Sequence, residues 1–330
     1  MAQFSLVAMT PPTLLAVPNV SEGRDGATIR AIGRAFAADR AGEGTPGGAH
    51  DAAPQPAQGV RLLDVHSDPD HHRSVFTLAG APDELAQGLL AGARVAVEHI
   101  DVMSRADGER ADAGQHPHVG ALDVVPLVYV DPRARGAACA EALVVADRIA
   151  GELGVPVFLY GELSGSEPGS QRTRAELRRG GVRGLAERMA DGLLRPDFGP
   201  PRLHPTAGAT LLGAREPLVA FNVQLAGPAS VADARAVAAL IREGGREGLP
   251  GVRAIGIALS GPVAQVSMNI ERPLEVPLAA VIAAIARHHE VASAELVGLA
   301  PRAALDGFPQ DIAMPGFDPA RHLLENALGW

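Results

Sequence analysis

The chain contains no lysine, so all 29 of its basic residues are arginine. Schiff-base catalysis, a lysine general base and a P-loop phosphate cradle each need an amine that is absent, and all three are excluded. Any anionic group on a ligand therefore has to meet arginine, histidine or backbone N–H. The single cysteine, Cys139, excludes an internal disulfide and any cysteine-rich zinc or iron–sulfur site. It falls in an Ala-rich helical stretch, where it reads as a small packing group. Aromatic residues make up only 3% of a chain that is 47% hydrophobic, so Leu, Val, Ile and Ala have to fill the core. No apolar run reaches about 18 residues. The opening MAQFSLVAMTPP lacks a basic n-region and a cleavage pattern, so the sequence reads as cytoplasmic. A net charge of −9 argues against a nucleic-acid or membrane-surface binder, both of which need a basic face.

At 330 residues the chain is long enough for one large domain or two of ordinary size. LLAVPNVSE (14–22) is a strand that stops at a polar turn, and 27–40 has helical spacing. The Gly-, Pro- and Ala-rich 41–59 reads as a flexible insertion. Strand-like runs at 60–65 and 74–80 flank the loop HSDPDHHR. A helix over 82–100 places Leu85, Leu89, Ala93 and Val97 on one face. A polar loop (104–115), a strand at 124–130, a helix over 136–153 and a strand at 155–161 follow.

The second half is cleaner. PLVAFNVQL (217–225) is a strand, and Ser230 with Asp233 forms a capping-box pattern ahead of a helix. VRAIGIAL and VAQVSMNI are joined by SGP as a hairpin, PLEVPLAAVIAAIARHHE is helical, and AELVGLAP is the last strand. That order is β-α-β-β-α-β, the ferredoxin-like split unit. The first half follows it with insertions and an extra helix–strand pair. The expected fold is α+β: two ferredoxin-like subdomains, 1–217 and 218–330, with facing sheets and helices outside. Helices cover one face of each sheet, and strands apolar at nearly every position demand cover for the other. A ligand then lies in a cleft between the halves, reached by loops 66–73 and 113–123.

Five of the 11 histidines fall in two loops: His66, His71 and His72 in DVHSDPDHHRSV, and His116 and His118 in GQHPHVGALD. Two readings stand for this cluster. Polar loops tolerate histidine without further purpose, and imidazoles with Asp68, Asp70 and Asp123 are also a plausible metal-ligand set. The zinc signature of two histidines four apart on a helix with a glutamate between them is missing. DFGPPRLHPTAGAT (197–210) is either a linker or, with its backbone N–H groups at the seam of the halves, a ligand cradle.

Taken in order, VPNVSEGRD, LLDVHSDPDHHRSVFTLAG, GQHPHVGALDVVPLVYV, GVPVFLYGE, RPDFGPPRLHPTAGATLLGAREPLVAFNVQL and AQVSMNI…AELVGLAP resemble the glutamate formimidoyltransferase (formiminotransferase) family. The resemblance runs from about residue 14 to about 308. It covers the transferase part and not the cyclodeaminase to which that unit is fused in animals. It implies transfer of a formimino group from N-formimino-L-glutamate to N5 of tetrahydrofolate, a step of histidine degradation and one-carbon metabolism, with no metal. It further implies two subdomains with facing sheets, a subdomain boundary near Pro217, and a dimer. The family's catalytic histidine falls on His116, acting as general acid and base. Its folate-contacting stretch falls on Gly199, Pro200, Pro201, Arg202, Leu203, His204, Pro205, Thr206, Ala207 and Gly208.

Chemistry suggests Glu22, Asp64 and Asp123 for a cationic formimino group. Arg73, Arg172 and Arg178 suit the carboxylates of glutamate or folate. The chain departs from the family pattern at Gln115 and His118, where an acid and an arginine are usual, and at His72, where an asparagine is usual. A stretch of extra residues, about 104–111, also precedes the loop. These departures leave room for a diverged paralogue, either a metal-assisted C–N hydrolase or a folate-binding protein without catalysis. The tail DIAMPGFDPARHLLENALGW lies beyond the resemblance and ends in a short amphipathic stretch.

Overall fold

The computed structural model describes residues 11–37, 59–107, 117–165, 170–261 and 263–330. His116, Gln115 and all of the 41–59 insertion except Gly59 lie outside the described residues.

The first sheet begins with two short strands, β1 (Leu14–Ala16) and β2 (Asn19–Val20). Pro18, which has no N–H to donate, separates them. Both lie antiparallel between β4 (Arg73–Gly80) and β5 (Leu122–Val128), so they act as one interrupted strand. β3 (Arg61–Asp68) pairs antiparallel with the outer edge of β4. Counted this way, β3-β4-β1/β2-β5 is the ferredoxin-like strand order. On the other side of β5, β7 (Thr210–Arg215) and then β6 (Val157–Leu159) are added in parallel.

The helices of this half are α1 (Gly26–Phe36), α2 (Glu84–His99), α3 (Val102–Asp107), α4 (Arg135–Leu153), α5 (Arg174–Leu177) and α6 (Gly181–Ala190). Asp25 caps α1 by accepting from the Ala27 N–H at 2.8 Å. Ile32 and Phe36 of α1 and Leu85 and Leu89 of α2 pack on Leu14, Phe76 and Leu78 of the sheet. Beyond β5, where one extra helix–strand pair was expected, the described residues form three helices and two strands.

The second sheet has order β11-β8-β10-β9, antiparallel throughout, from β8 (Val219–Leu225), β9 (Val252–Ala258), β10 (Ala264–Ile270) and β11 (Val291–Val297). α7 (Val231–Ile241) and α8 (Leu278–Ala286) cover one face. The Ser230–Asp233 capping box is present with both of its hydrogen bonds.

The expectation of strands apolar at nearly every position needs correction here. Val219, Phe221 and Val223 of β8 and Val266, Met268 and Ile270 of β10 point into the helical core. Strand alternation therefore puts Asn222, Gln224, Gln265, Ser267 and Asn269 on the opposite face. That polar face meets the first sheet. His66 Nε2 lies 3.5 Å from Glu295, Arg174 lies 3.9 Å from Glu271, and the Ser260 N–H donates to Asp70 at 3.2 Å. The second sheet thus turns a polar face toward the first, whose facing side carries Val17, Val75, Val124 and Val128 beside its arginines.

The tail turns back onto the first sheet. After α9 (Pro319–His322), α10 (Leu324–Leu328) packs Leu324 and Leu328 against Leu15, Ala79 and Val128. No described helix is long and apolar enough to cross a membrane.

Candidate active site between the two sheets

A groove of about 680 Å³ separates residues 173–180 of the first half from β9 and β10 of the second, and Pro117 is among its lining residues. It adjoins a smaller chamber of about 80 Å³ between the sheets, the two sharing Arg174, Arg178 and Asn269 as walls.

Local sequence explains the placement of two of the arginines. Thr173 and Glu176 form a capping box: the Thr173 hydroxyl accepts from the Glu176 N–H at 3.1 Å, and the Glu176 carboxylate accepts from the Thr173 N–H at 2.8 Å. This fixes one helical turn and sets Arg174 and Arg178, four residues apart, on the same face. The far end is latched by Arg188, whose guanidinium donates to the carbonyls of Glu176 at 2.9 Å and Leu177 at 2.7 Å. Arg174 sits 5.7 Å over the Tyr160 ring. Arg178 donates to Asp123 Oδ2, and the other oxygen of Asp123 accepts from the Val119 N–H at 2.8 Å.

Two further arginines enter the chamber from the first sheet. Arg73 opens β4 and Arg215 closes β7. Burial pushes both guanidinium groups down to about 10, and for Arg73 the neighbouring Arg178 adds to the shift. Arg215 Nη1 donates to the Glu216 carbonyl at 2.8 Å, its Nε makes no hydrogen bond among the described residues, and Tyr160 and Glu271 act favourably on the cation. The carboxylates of Asp123 and Asp68 act on the Arg73 guanidinium in the opposite sense and offset part of its shift. Asn19 and Asn269 add amide groups to the same walls.

Of the residues singled out in the sequence, Arg73 and Arg178 line the chamber and Asp123 anchors Arg178. Three others have different surroundings. Glu22 accepts from the Arg24 and Asp25 N–H groups, both at 2.9 Å, and pairs with Arg105 at 2.7 Å. Its burial acts to raise the pKa, but those hydrogen bonds more than offset it and hold the carboxyl below its usual range. Asp64 faces the tail, 3.9 Å from His322. Arg172 donates to Asp197, which also accepts from the Leu159 N–H at 2.7 Å.

The histidines of the first loop have separate partners as well. His66 meets Glu295, and His72 Nδ1 accepts from the Gly23 N–H at 3.1 Å. His71 is buried 3.6 Å from Asp68, and burial pulls its pKa down. Among the described residues no three His, Cys, Asp or Glu side chains converge as metal ligands would.

The 199–208 stretch is a compact turn. The His204 N–H donates to the Gly208 carbonyl at 2.8 Å, and His204 Nδ1 accepts from the Ala207 N–H at 3.0 Å, its pKa lowered by burial. Its end is stitched to the chain that follows Pro117: Ala121 N–H donates to Ala207 and Ala209 N–H to Val119, each at 2.9 Å. Gly120 and Gly208 pair directly.

Sequence reasoning passed over Arg174, Arg215, Asn19 and Asn269 as site residues. Three of them stood inside the quoted motifs, as VPNVSE, TLLGAREP and VSMNI. A polar residue ending or punctuating an apolar strand was the available signal.

Comparison with known proteins matches residues 13–215 to the family model described as "Formiminotransferase domain, N-terminal subdomain". The chain is 34% identical over 319 residues to the glutamate formimidoyltransferase of Streptococcus pyogenes serotype M1, covering 94% of this chain and 97% of that protein. It is 30% identical over 311 residues to the glutamate formimidoyltransferase of Thermoplasma acidophilum, covering 92% and 93%. It is 37% identical over 300 residues to the formimidoyltransferase-cyclodeaminase of Gallus gallus; that match takes in 88% of this chain and 50% of the longer protein.

Proposed function

Because the chain belongs to the formiminotransferase family, we propose that it transfers the formimino group of N-formimino-L-glutamate to N5 of tetrahydrofolate. The products are 5-formimidoyltetrahydrofolate and L-glutamate. The N5 amine attacks the amidine carbon and forms a tetrahedral intermediate. The bond from that carbon to the α-nitrogen of glutamate then breaks. The proton lost by N5 and the proton gained by the leaving amine balance, so one group of near-neutral pKa serves both steps. His116 is that group in this reading, and Gly199–Gly208 is the stretch that contacts folate.

One observation carries the proposal. Pro117, next in the chain to His116, lines the groove between the halves, and residues 119–121 hydrogen-bond to 207–209. The residue that follows the proposed proton-transfer residue thus lines the groove, and the chain two to four residues beyond it is hydrogen-bonded to the end of the proposed folate segment. The reading divides the chain into subdomains at 1–217 and 218–330, with both substrates meeting at the seam. The arginines supply the positive field that dicarboxylate substrates require.

The experiment is to mix the protein with tetrahydrofolate and N-formimino-L-glutamate, following the folate product by absorbance and glutamate release in parallel. Stoichiometric appearance of both is the expected result. Glutamate release without tetrahydrofolate would replace transfer with hydrolysis.

A further inference from the structure

The chamber between the sheets holds about 80 Å³, and the groove it adjoins about 680 Å³. A cavity of roughly 150 Å³ takes a molecule the size of benzene. The groove therefore receives a ligand as it stands, whereas the chamber does so only if the sheets part.

Contacts across the seam differ between its two ends. The chain passes from one half to the other through residues 216–218, between the end of β7 and the start of β8. Leu324 and Leu328 of α10 are buried at this end, against Leu15, Ala79 and Val128, and Val128 is in register with Arg215. The same helix is tied to the second half. The Leu324 N–H donates to the Ala300 carbonyl at 2.9 Å, the Arg302 N–H to Glu325 at 3.0 Å, and the Arg302 guanidinium to Asn326 at 2.7 Å. α10 thus braces the crossing point, with apolar burial on one half and hydrogen bonds to the other.

The far ends meet through polar groups. Ala79 pairs with Leu15 and Leu15 with Val128, so the turn ahead of Arg73 lies at the other end of β4 from the crossing. In the second sheet Ile270 pairs with Val219, which puts the turn between β9 and β10 at the far end as well. There the hydroxyl and N–H of Ser260 both donate to Asp70, at the solvent-exposed surface. Further in, His66 lies 3.5 Å from Glu295, which also accepts from Asn222 at 2.8 Å. Polar contacts near water exchange for hydrogen bonds to water at small net cost, while parting the leucines exposes apolar surface.

We infer that the two halves open as a hinge about residues 216–218, with α10 as the brace on that hinge and the Asp70–Ser260 contact as the catch at its mouth. Opening joins the chamber to the groove and gives it the width a small-molecule substrate needs, and closing excludes water. The motion follows from the contacts; only the identity of what enters rests on the proposed reaction.

A disulfide across the mouth tests this directly. The variant C139S/D70C/S260C has no other thiol, so oxidation locks the catch and reduction frees it. Turnover of N-formimino-L-glutamate with tetrahydrofolate is expected to fall roughly tenfold or more in the oxidised form and to return on reduction. Equal turnover in the two forms, or a pair that does not oxidise, overturns the inference.

A thiol inside the chamber reads the motion without substrate. Thr77 lines the chamber and is 3% exposed. Modification of C139S/T77C by DTNB is expected to be slow, and adding S260A to speed it about threefold or more with Tm unchanged. A T77C thiol as reactive as free glutathione, or one whose rate S260A leaves unmoved, overturns the hinge. Should the wild type transfer nothing, the proposed reaction fails, and this measurement still decides the hinge.

Discussion

The guanidinium of Arg178 donates to the carboxylate of Asp123, with both side chains nearly inaccessible at 9% and 2% exposure. The pair joins α5 to the start of β5, and through the Val119 N–H it also holds the chain leaving Pro117. Breaking a buried pair from one side leaves the other charge stranded, at a cost of about 3–5 kcal/mol. Asp123→Asn is therefore expected to lower the unfolding free energy in urea by that order. The double variant Asp123→Asn with Arg178→Met should recover much of it. A double variant no more stable than Asp123→Asn alone would mean that the pair is not what the site depends on.

Gly120 controls how closely residues 119–121 approach the end of the proposed folate segment. A Cβ there would collide with the Ala209 carbonyl oxygen. Gly120→Ala cannot be accommodated by a rotamer change, because the obstacle is backbone. The strands have to separate, and the hydrogen bonds between 119–121 and 207–209 weaken together. The expected outcome is a fall in Tm together with a rise in KM for tetrahydrofolate larger than that for the formimino donor. Equal rises for both substrates would detach the 199–208 stretch from folate.

Glu141 of α4 gives the pH dependence a definite sign. Its carboxylate accepts from the Asp83 and Ala86 N–H groups at 2.9 and 2.8 Å, serving the start of α2 from a neighbouring helix. Burial nevertheless raises its pKa, because those two hydrogen bonds offset desolvation only in part. A carboxyl whose folded pKa lies above its unfolded value binds more protons when folded. Its favourable contribution is complete below the unfolded pKa and is lost as pH rises through the folded one. Measured against Glu141→Gln by urea unfolding, the wild type should lose relative stability from about pH 4 upward through the raised pKa. Relative stability that rises with pH over that window would reverse the assignment.

The second half was legible in the sequence because each signal was local. Ser230 and Asp233 sit at capping distance, SGP separates two runs of strand length, and α8 follows as one apolar stretch. β7 was not legible as a strand. TLLGAR is buried between β5 and β6, shows no alternation, and follows a Gly- and Pro-rich segment that reads as linker. The polar inner face of the second sheet was visible in VAFNVQL and AQVSMNI as strict alternation. A count of apolar positions hides it, and only the sheet shows that the two faces have different tasks.

The site was legible in part for a similar reason. Arg178 and Asp123 are 55 positions apart and Arg215 is further along again, so no spacing rule joins them. Their meeting is a product of strand order, in which β5 and β7 become neighbours although α4, β6, α5 and α6 intervene in the chain. The ordered motifs marked the right segments, and pairing between strands decided which side chains in them converge.

The most direct test of the account is the rate of 5-formimidoyltetrahydrofolate formation by His116→Ala under saturating substrates. Loss of a positioned general acid and base predicts a fall on the order of 10²–10⁴-fold in kcat, with folate binding and Tm retained. Turnover by His116→Ala at the wild-type rate would contradict it.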